Sequence, residues 1–336
     1  MKQSLTIVTG AAGHLGSTIA AKLNDLGKNV YALCLPNEKN TPQGKNIRIY
    51  HGDICNIKSL EKLFEDSKTF DITLIHCAGI VSIASKYDPK VYDVNVSGTK
   101  NILAMCKQYC VSKLIYISSV HALPELPPEN TMTEIRNFSP DQVVGLYAQT
   151  KAEATQCVLD YVKDGYYACI IHPSGMLGPG DHGKGHITQM VIDYCKGRLS
   201  AGVVGGYDFV DVRDVADGVI SCCEKGKNGE CYILSGQYYQ VKDILYLLHK
   251  ITGKRRIKRF LPLWFLKAMA PFTELYYKIL GQPPLFTTYS LYTLNANARF
   301  SHEKASKEFN YSTRPLKQTL TDTIRWLTDH HRLKSV

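Results

Sequence analysis

The chain of 336 residues contains no uninterrupted apolar run of about 18 residues, the length that a membrane-spanning helix requires. Its first ten residues, MKQSLTIVTG, have neither the apolar segment nor the cleavage site of a secretory signal peptide. Hydrophobic residues make up 44% of the chain and charged residues 21%, which excludes the composition of a disordered or collagen-like protein. We therefore expect a folded, cytoplasmic protein.

The sequence also lacks paired C-x-x-C motifs, so its cysteines do not have the spacing of a zinc site. There are eleven cysteines, an odd number, and most of them lie inside apolar runs. This pattern is typical of small buried hydrophobic side chains in a reducing compartment. We expect neither a disulfide framework nor a bound metal.

Acidic side chains are scarce in the last third of the chain. Residues 240–336 contain 17 lysines and arginines but only 6 aspartates and glutamates, and the densest basic segment is Lys254–Arg259. Such a region is suited to an anionic substrate, a membrane surface or nucleic acid, and it is equally compatible with a solvated loop. Because no nucleic-acid motif accompanies it, we expect no specific nucleic-acid partner and leave a peripheral membrane contact open.

Short apolar segments alternate with segments of helical periodicity over the first half of the chain. The apolar segments predict strands at Ser4–Gly10, Asn29–Leu35, Asn46–Asp53, Asp71–Gly79, Lys113–Val120 and Tyr166–Pro173. The intervening segments predict helices at His14–Leu26, Ile57–Asp66, Asp93–Tyr109 and Gly145–Lys163. Continuous apolar strands separated by helices indicate an α/β fold with a doubly wound parallel sheet.

The first predicted strand leads into TGAAGHLG, which places Gly10, Gly13 and Gly16 at the junction with the first helix. One glycine permits a tight turn, another lets the backbone approach a pyrophosphate, and the last lets the helix pack close to the sheet. Amides at the helix N-terminus, where His14 and Leu15 lie, then bind the anion. The segment therefore predicts a dinucleotide-binding site.

The alternation of strands and helices stops after Pro173, where a glycine-rich segment follows. We expect residues 1–173 to form the dinucleotide-binding domain and residues 174–336 to form mainly a smaller, substrate-binding C-terminal lobe. Segments around 209–235 are expected to return to the core of the first domain.

The end of the second strand bears on the choice of dinucleotide. An acid at this position accepts from the ribose 2′-hydroxyl of NAD, whereas an arginine pairs with the 2′-phosphate of NADP. Here the strand ends LCLPN (33–37), with neither, and Lys39 and Lys45 lie downstream. We expect NAD(P)(H), with NADP slightly favoured because no acid at the strand end repels its extra charge.

Tyr147 and Lys151 lie four residues apart in a predicted helix, so their side chains share one face. A phenol is a poor base at neutral pH, and a neighbouring ammonium stabilises the phenolate and lowers its pKa. Ser119 follows the fifth strand, at the sheet edge where doubly wound folds bind ligands. The three residues predict proton transfer by Tyr147 to or from a substrate oxygen that Ser119 holds.

Several motifs occur together in one order: TGAAGHLG (9–16), HGDI (51–54), HCAG (76–79), DVNVSGTKNIL (93–103), YISSV (116–120), YAQTK (147–151), PSGMLGPGD (173–181) and DFVDVRDVADG (208–218). With these motifs the chain resembles an extended short-chain dehydrogenase/reductase of the NAD-dependent epimerase/dehydratase superfamily. The resemblance covers most of the chain and implies a Rossmann fold, an enzyme and a nicotinamide dinucleotide.

The resemblance also implies roles for matching residues. Besides the glycine turn and the catalytic residues, the cofactor would be contacted by Asp53, Ile54, Cys77, Ala78, Gly79, Asn95, Ser118, Pro173, Ser174, Gly175 and Met176. Asp53 would accept from the adenine amino group, and Asn95 would brace the backbone near the nicotinamide. Tyr147 would be the proton donor or acceptor, Lys151 would hold the ribose hydroxyls, and Ser119 would orient the substrate.

Two departures from the family pattern bear on the reaction. Sugar-nucleotide epimerases carry an asparagine where Gly175 stands, and sugar dehydratases carry T-D-E where this chain has Ser118–Val120. The segment PSGMLGPGD is more similar to dihydroflavonol reductases and 3β-hydroxysteroid dehydrogenases. This similarity implies hydride transfer between NAD(P) and a secondary alcohol or ketone of a bulky apolar substrate.

Large apolar side chains in the C-terminal third agree with such a substrate, although core packing or membrane contact also explains them. We expect the mouth of the site to include Leu261, Leu263, Trp264, Phe265, Met269, Phe272, Tyr276 and Tyr277. Two other functions stay open, a sugar-nucleotide epimerase or dehydratase and a non-catalytic dinucleotide-binding regulator. The resemblance further implies a homodimer formed through the helices at Asp93–Tyr109 and Gly145–Lys163.

Overall fold

A parallel sheet forms the centre of the protein, whose computed structural model describes residues 2–83, 87–182, 185–266, 268 and 288–334. The described strands are β1 (Gln3–Thr9), β2 (Val30–Cys34), β3 (Ile47–His51), β4 (Phe70–His76), β5 (Lys113–Ile117), β6 (Ala168–Pro173), β7 (Gly175–Leu177), β8 (Gly202–Val203), β9 (Gly206–Asp211), β10 (Cys231–Leu234), β11 (Gln237–Gln240) and β12 (Phe260–Leu261). Seven of them form the central sheet in the order β10-β6-β5-β4-β1-β2-β3.

This strand order confirms the doubly wound α/β fold predicted from the sequence. β1 pairs in parallel with both β2 and β4, so the chain winds outward in two opposite directions from the centre of the sheet. The register pairs Thr9 with Leu33 on one side and with His76 on the other, so the carboxyl ends of these strands are level. A reversal of strand order at level carboxyl ends opens the crevice in which such folds bind ligands.

Helices cover both faces of this sheet. The described helices are α1 (His14–Asp25), α2 (Pro89–Tyr92), α3 (Gly98–Gln108), α4 (Leu146–Lys163), α5 (His186–Cys195), α6 (Val212–Lys225), α7 (Val241–Thr252), α8 (Thr288–Thr293), α9 (Glu303–Phe309) and α10 (Leu316–Asp329), with 3₁₀ helices at Ile57–Lys68, Val120–Ala122 and Pro140–Gln142. Side chains of β1 alternate between the faces: Leu5 and Ile7 pack towards α3 and α4, and Val8 packs towards α1 and α6.

The helix predicted at Asp93–Tyr109 begins earlier and is irregular. Pro89 occupies its first turn and the Asp88 side chain accepts a backbone hydrogen bond there, so the helical stretch starts at α2. A π-helical turn at Asp93–Ser97 joins α2 to α3 and contains the buried Asn95. The helix predicted near residues 57–66 is a 3₁₀ helix that extends to residue 68.

The C-terminal half of the chain contributes to two structures. β10 pairs with β6 as an edge strand of the central sheet, and α6 packs against the same core. The small sheet β11-β9-β7 and the helices α5, α7 and α10 share a separate apolar core, to which Val191, Leu248 and Leu327 contribute. Among the described helices, none has the length and hydropathy needed to cross a bilayer.

The eleven cysteines are all free thiols, and two of them differ from the expectation of burial. Cys55 and Cys110 are exposed, because they lie in the loop after β3 and in the turn after α3 rather than in an apolar strand or helix face.

Candidate active site

The turn after β1 is fixed by contacts that exclude larger side chains. Gly10 has a φ of +63°, and a Cβ on it would lie 2.7 Å from the backbone nitrogen and Cα of Ala78. A Cβ on Gly16 would overlap the carbonyl oxygen of Gly10, and the Gly13 amide donates a 3.0 Å hydrogen bond to that oxygen. The three glycines therefore hold β1, the turn and the start of α1 in close contact.

The N-terminus of α1 is able to accept an anion. Gly13 occupies the cap position and supplies no side-chain hydrogen bond, so the first amides of the helix are available. Leu15 is buried in the core, and His14 Nε2 lies 3.1 Å from the carbonyl oxygen of Pro179 in the loop after β7. Burial also lowers the pKa of His14. His14 and Leu15 therefore present backbone amides, rather than side chains, at the N-terminus of α1.

The segment Cys77–Gly79 follows β4 and lies against this turn. Its position is fixed by Asn95, whose Oδ1 accepts a 2.8 Å hydrogen bond from the Ile80 amide and whose Nδ2 donates at 3.1 Å to Thr150 Oγ1. Because Thr150 belongs to α4, Asn95 connects the segment after β4 to the helix that carries Tyr147. This explains why a buried polar side chain stands in the π-helical turn.

The loop after β3 lies on the side of β1 opposite to the segment after β4. Asp53 is half-buried, and its Oδ1 accepts a 2.9 Å hydrogen bond from the Cys55 amide. Ile54 is buried against Gly98, where a Cβ would lie 2.6 Å from the Ile54 Cδ1 atom. The loop is therefore held by its own turn and by the start of α3.

An acid that sequence analysis missed lies near the end of β2. In the turn after this strand, the Glu38 amide donates a 3.1 Å hydrogen bond to the Leu35 carbonyl oxygen. Burial, with a smaller contribution from the nearby charge of Glu38, raises the pKa of the Cys34 thiol to about 11. Glu38 stands four residues beyond the strand, so only the turn brings its carboxylate back towards the sheet edge.

Ser119, Tyr147 and Lys151 meet at the carboxyl edge of β5. All three are buried, with 5%, 7% and 5% of their surfaces exposed. Lys151 Nζ donates a 2.8 Å hydrogen bond to the carbonyl oxygen of Ile117, and a Cβ on Gly79 would lie 3.4 Å from the same nitrogen. Lys151 therefore reaches from α4 to the floor of the crevice, where β4 and β5 end.

Burial dominates the electrostatics of this group. It lowers the pKa of Lys151 to about 8. It raises the pKa of Tyr147, and the hydrogen bond with the Ser119 hydroxyl opposes that increase. The direction for Tyr147 is the opposite of the one expected from the four-residue spacing. The reason is that the phenol is desolvated while the ammonium of Lys151 is directed to the Ile117 carbonyl.

Ser118 and the segment 173–176 frame the same edge of the sheet. The Ser118 and Thr155 hydroxyls share a 2.6 Å hydrogen bond, which fastens β5 to α4. Residues 173–176 lead from β6 into β7, and Ser174 donates a hydrogen bond to Asp208 on β9. Burial raises the pKa of Asp208 to about 6. The segment thereby joins the central sheet to the small sheet of the C-terminal half.

A cavity of about 160 Å³ opens beside His121 and the start of α4. Its walls come from segments that are distant in sequence: residues 120–125 after β5, Met132, residues 142–148 at the start of α4, Tyr207 on β9 and residues 289–300. Glu125 is the one acidic or basic side chain among the described lining residues, apart from His121. The cavity is therefore lined mainly by aromatic, apolar and neutral polar groups.

His121 lines this cavity and packs against Tyr147. Its ring centroid lies 5.8 Å from that of Tyr147 and 5.6 Å from that of Tyr207, with which it stacks. The Tyr207 hydroxyl and His121 Nε2 share a 2.9 Å hydrogen bond. Burial lowers the pKa of His121 to about 4, so the ring is neutral at pH 7. Sequence analysis missed both residues; the available signal was that His121 follows Ser119 by two positions.

Four of the eight apolar side chains predicted at the mouth of the site are described, and none of these four lines the cavity. Leu261 and Leu263 pack into the C-terminal core, while Trp264 and Phe265 are 71% and 40% exposed. Tyr289, Tyr292 and Phe300 line the cavity instead, because α8 and the segment after it lie across the start of α4. Outside the described residues lie Met269, Phe272, Tyr276 and Tyr277.

Comparison with known proteins identifies the family that this geometry represents. Residues 6–235 match the model of the NAD dependent epimerase/dehydratase family, a range that runs from β1 through β10. The chain belongs to the NAD-dependent epimerase/dehydratase family. It is an enzyme of the extended short-chain dehydrogenase/reductase type, as the sequence motifs predicted.

Three full-length similarities support this membership. Sterol demethylase protein B of Methylococcus capsulatus is 26% identical over 329 residues, which cover 96% of this chain and 98% of that protein. A dihydroflavonol 4-reductase-like protein of Synechocystis sp. is 27% identical over 333 residues, covering 98% and 96%. The crystal structure of gox2253 is 30% identical, with a TM-score of 0.85, and covers 99% of this chain and 100% of that one.

The nicotinamide dinucleotide of this family fits the observed crevice. The uncapped N-terminus of α1 offers amides to its diphosphate. Gly10 lies directly against the Ala78 backbone and Gly79 lies beside Lys151 Nζ, so neither position carries a side chain that would occupy the crevice. The family members are NAD-dependent.

Proposed function

We propose that the protein transfers a hydride between NAD(P)(H) and a secondary alcohol or ketone of a bulky, apolar ring compound. The observation that supports this most strongly is the meeting of Ser119, Tyr147 and Lys151 between the glycine turn and a cavity lined mainly by aromatic, apolar and neutral polar groups. One wall of the crevice is thus suited to a nicotinamide and the other to an apolar ring.

In this proposal each residue of the site has one task. The bound cofactor supplies or accepts the hydride at the substrate carbon. Tyr147 exchanges a proton with the substrate oxygen, and Ser119 donates a hydrogen bond that orients this oxygen. Lys151 holds the ribose hydroxyls and, when charged, favours the phenolate of Tyr147. Asn95 fixes the segment after β4 relative to α4, so that these groups keep their spacing.

The cavity favours this reaction over one on a sugar nucleotide. A sugar nucleotide carries a diphosphate, which proteins bind with arginine, lysine or helix N-termini. Among the described residues that line the cavity there is no lysine or arginine, and Glu125 adds a negative charge. The neutral His121 and the aromatic rings match an apolar ring instead.

The choice between NAD and NADP depends on two opposing features. Lys39 and Lys45 follow β2 and favour the 2′-phosphate of NADP, in line with the slight preference inferred from the sequence. The Glu38 carboxylate near Cys34 favours the 2′-hydroxyl of NAD. Comparing kcat/KM for the two cofactors measures which feature prevails.

The proposed function is tested by following absorbance at 340 nm with NAD(H) and NADP(H) in the presence of three substrate groups. Sterols or steroids and flavonoids represent apolar ring compounds, and UDP-glucose and dTDP-glucose represent sugar nucleotides. We expect turnover with an apolar ring alcohol or ketone and none with the sugar nucleotides. Turnover with sugar nucleotides alone would overturn the proposal, and binding of NAD(H) without turnover of any compound would favour a regulatory role.

The homodimer and the membrane contact stay predictions. Light scattering during gel filtration measures whether the protein forms a homodimer, and charge-reversal variants at Lys100 on α3 perturb the predicted interface.

The predicted membrane contact involves the basic segment Lys254–Arg259 and the exposed Trp264. Co-sedimentation with phosphatidylserine vesicles, compared with phosphatidylcholine vesicles, measures this contact.

A further inference from the structure

The wall of the cavity contains one polar group that the described protein leaves without a partner. Tyr289 lines the cavity and is 7% exposed, and its hydroxyl oxygen is buried without a hydrogen-bond partner among the described residues. A buried hydroxyl in this state is disfavoured, because it has lost water and gained no replacement. A ligand with an acceptor at this position would supply the missing hydrogen bond.

The neighbouring phenols do not share this property. The Tyr207 hydroxyl is bonded to His121 Nε2, and the Tyr292 hydroxyl donates to the Glu125 carboxylate. Among the described tyrosines that line the cavity, Tyr289 is therefore the one whose hydroxyl makes no hydrogen bond within the protein.

The position of the Tyr289 ring is fixed relative to the catalytic tyrosine. Gly145 caps α4 with a φ of +97°, and a Cβ on it would overlap the Tyr289 ring. Tyr147 lies two residues further along the same helix. Both rings also pack around His121, whose centroid is 5.8 Å from that of Tyr147 and 6.3 Å from that of Tyr289. A substrate oxygen at Tyr147 and a second oxygen at Tyr289 would therefore belong to neighbouring parts of one small molecule.

We propose that Tyr289 determines substrate specificity by donating a hydrogen bond to a second oxygen of the substrate, close to the carbon that exchanges the hydride. This inference rests on the proposed function. It narrows the substrate class to ring ketones or alcohols that carry a neighbouring hydroxyl or carbonyl group. Such compounds satisfy the Tyr289 hydroxyl, whereas a simple ring ketone leaves it unpaired.

The test compares wild-type protein with Tyr289→Phe on matched pairs of compounds. One pair is dihydroquercetin and eriodictyol, which differ by the hydroxyl next to the ring ketone. The other is 16α-hydroxyestrone and estrone, which differ in the same way. We expect wild type to prefer the hydroxylated member by about tenfold in kcat/KM. Tyr289→Phe should abolish this preference mainly through a higher KM, with kcat nearly unchanged, because the ring remains in place.

Tyr161→Phe is the matched control. Tyr161 also has a buried, unpartnered hydroxyl, but it stacks on Tyr166 and does not line the cavity. It should keep the wild-type preference. Calorimetric binding of each pair to the enzyme with NAD(H) provides a second readout that does not require turnover.

The outcomes separate this inference from the function on which it rests. Turnover or binding with an equal preference in wild type and Tyr289→Phe overturns the role of Tyr289 and leaves the proposed function intact. Neither turnover nor binding of any member, in protein that still binds NAD(H), counts against both. Loss of the preference in Tyr161→Phe as well would assign the effect to general destabilisation and overturn the inference.

Discussion

The glycine turn and the cavity lie at the same edge of the sheet, but they are assembled in different ways. The turn consists of eight consecutive residues (9–16), and its shape is set by backbone contacts such as that of Gly10 with Ala78. The cavity is built from side chains of five separate segments, and its shape depends on how α8 rests on Gly145. The cofactor end is therefore defined locally and sterically, whereas the substrate end is defined by tertiary contacts between side chains.

The largest expected effect is at the point where the two regions meet. Tyr147→Phe removes the proton-exchanging hydroxyl and keeps the ring, so kcat should fall by about 10²–10⁴-fold while NAD(H) still binds. Steady-state kinetics and NADH fluorescence measure the two properties. Tyr116→Phe is the control, because it removes a buried phenol hydroxyl next to Lys151, keeps the ring and should keep activity. Substantial activity in Tyr147→Phe would show that another group exchanges the proton.

The steric nature of the cofactor end is tested by Gly10→Ala. The new Cβ would press on the Ala78 backbone, so we expect NAD(H) affinity to fall by at least about tenfold, together with a loss of stability. Gly27→Ala is the matched control, since Gly27 also has a positive φ, of +70°, but a Cβ on it would have no atom within 4 Å. It should lose only about 1–2 kcal/mol of stability and bind NAD(H) normally. Equal affinities in the two variants would contradict a sterically defined turn.

The pH dependence of stability tests the burial of Lys151. Its pKa in the folded protein is about 8, below the ordinary 10.5, so between these values the unfolded chain binds more protons than the folded protein. The free energy of unfolding should therefore rise with pH across this window, relative to Lys151→Met. Denaturant titrations of both proteins at pH 7, 8, 9 and 10 measure the difference. A difference that does not change with pH would mean that Lys151 titrates near its ordinary value.

The smallest expected effect concerns the adenosine end of the crevice. Glu38→Gln removes the carboxylate near Cys34, so the ratio of kcat/KM for NADP to that for NAD should rise by about two- to fivefold. Glu303→Gln removes an exposed carboxylate on α9 and should leave the ratio unchanged. An unchanged ratio in Glu38→Gln would place the Glu38 carboxylate too far from the ribose to contribute.

Individual residues show which parts of the site could be read from the sequence. Gly10, Gly13 and Gly16 were predictable because their spacing expresses a local steric requirement, and Asn95 was predictable because its motif has a fixed position in the family. His121 and Tyr207 were not, because their hydrogen bond joins residues 86 positions apart. Leu261 and Trp264 do not line the cavity, because core packing and exposure, rather than hydrophobicity alone, decide where an apolar side chain lies.

The sequence by itself determined the parallel sheet, the glycine turn and the order of Ser119, Tyr147 and Lys151, since each depends on periodicity or on spacing within one element. Only the tertiary structure decided the direction in which the Tyr147 pKa is shifted, the position of the Glu38 carboxylate near the end of β2 and the aromatic contacts around His121. These properties depend on desolvation and on contacts between distant segments, because the electrostatic environment of a group is set by everything that packs around it.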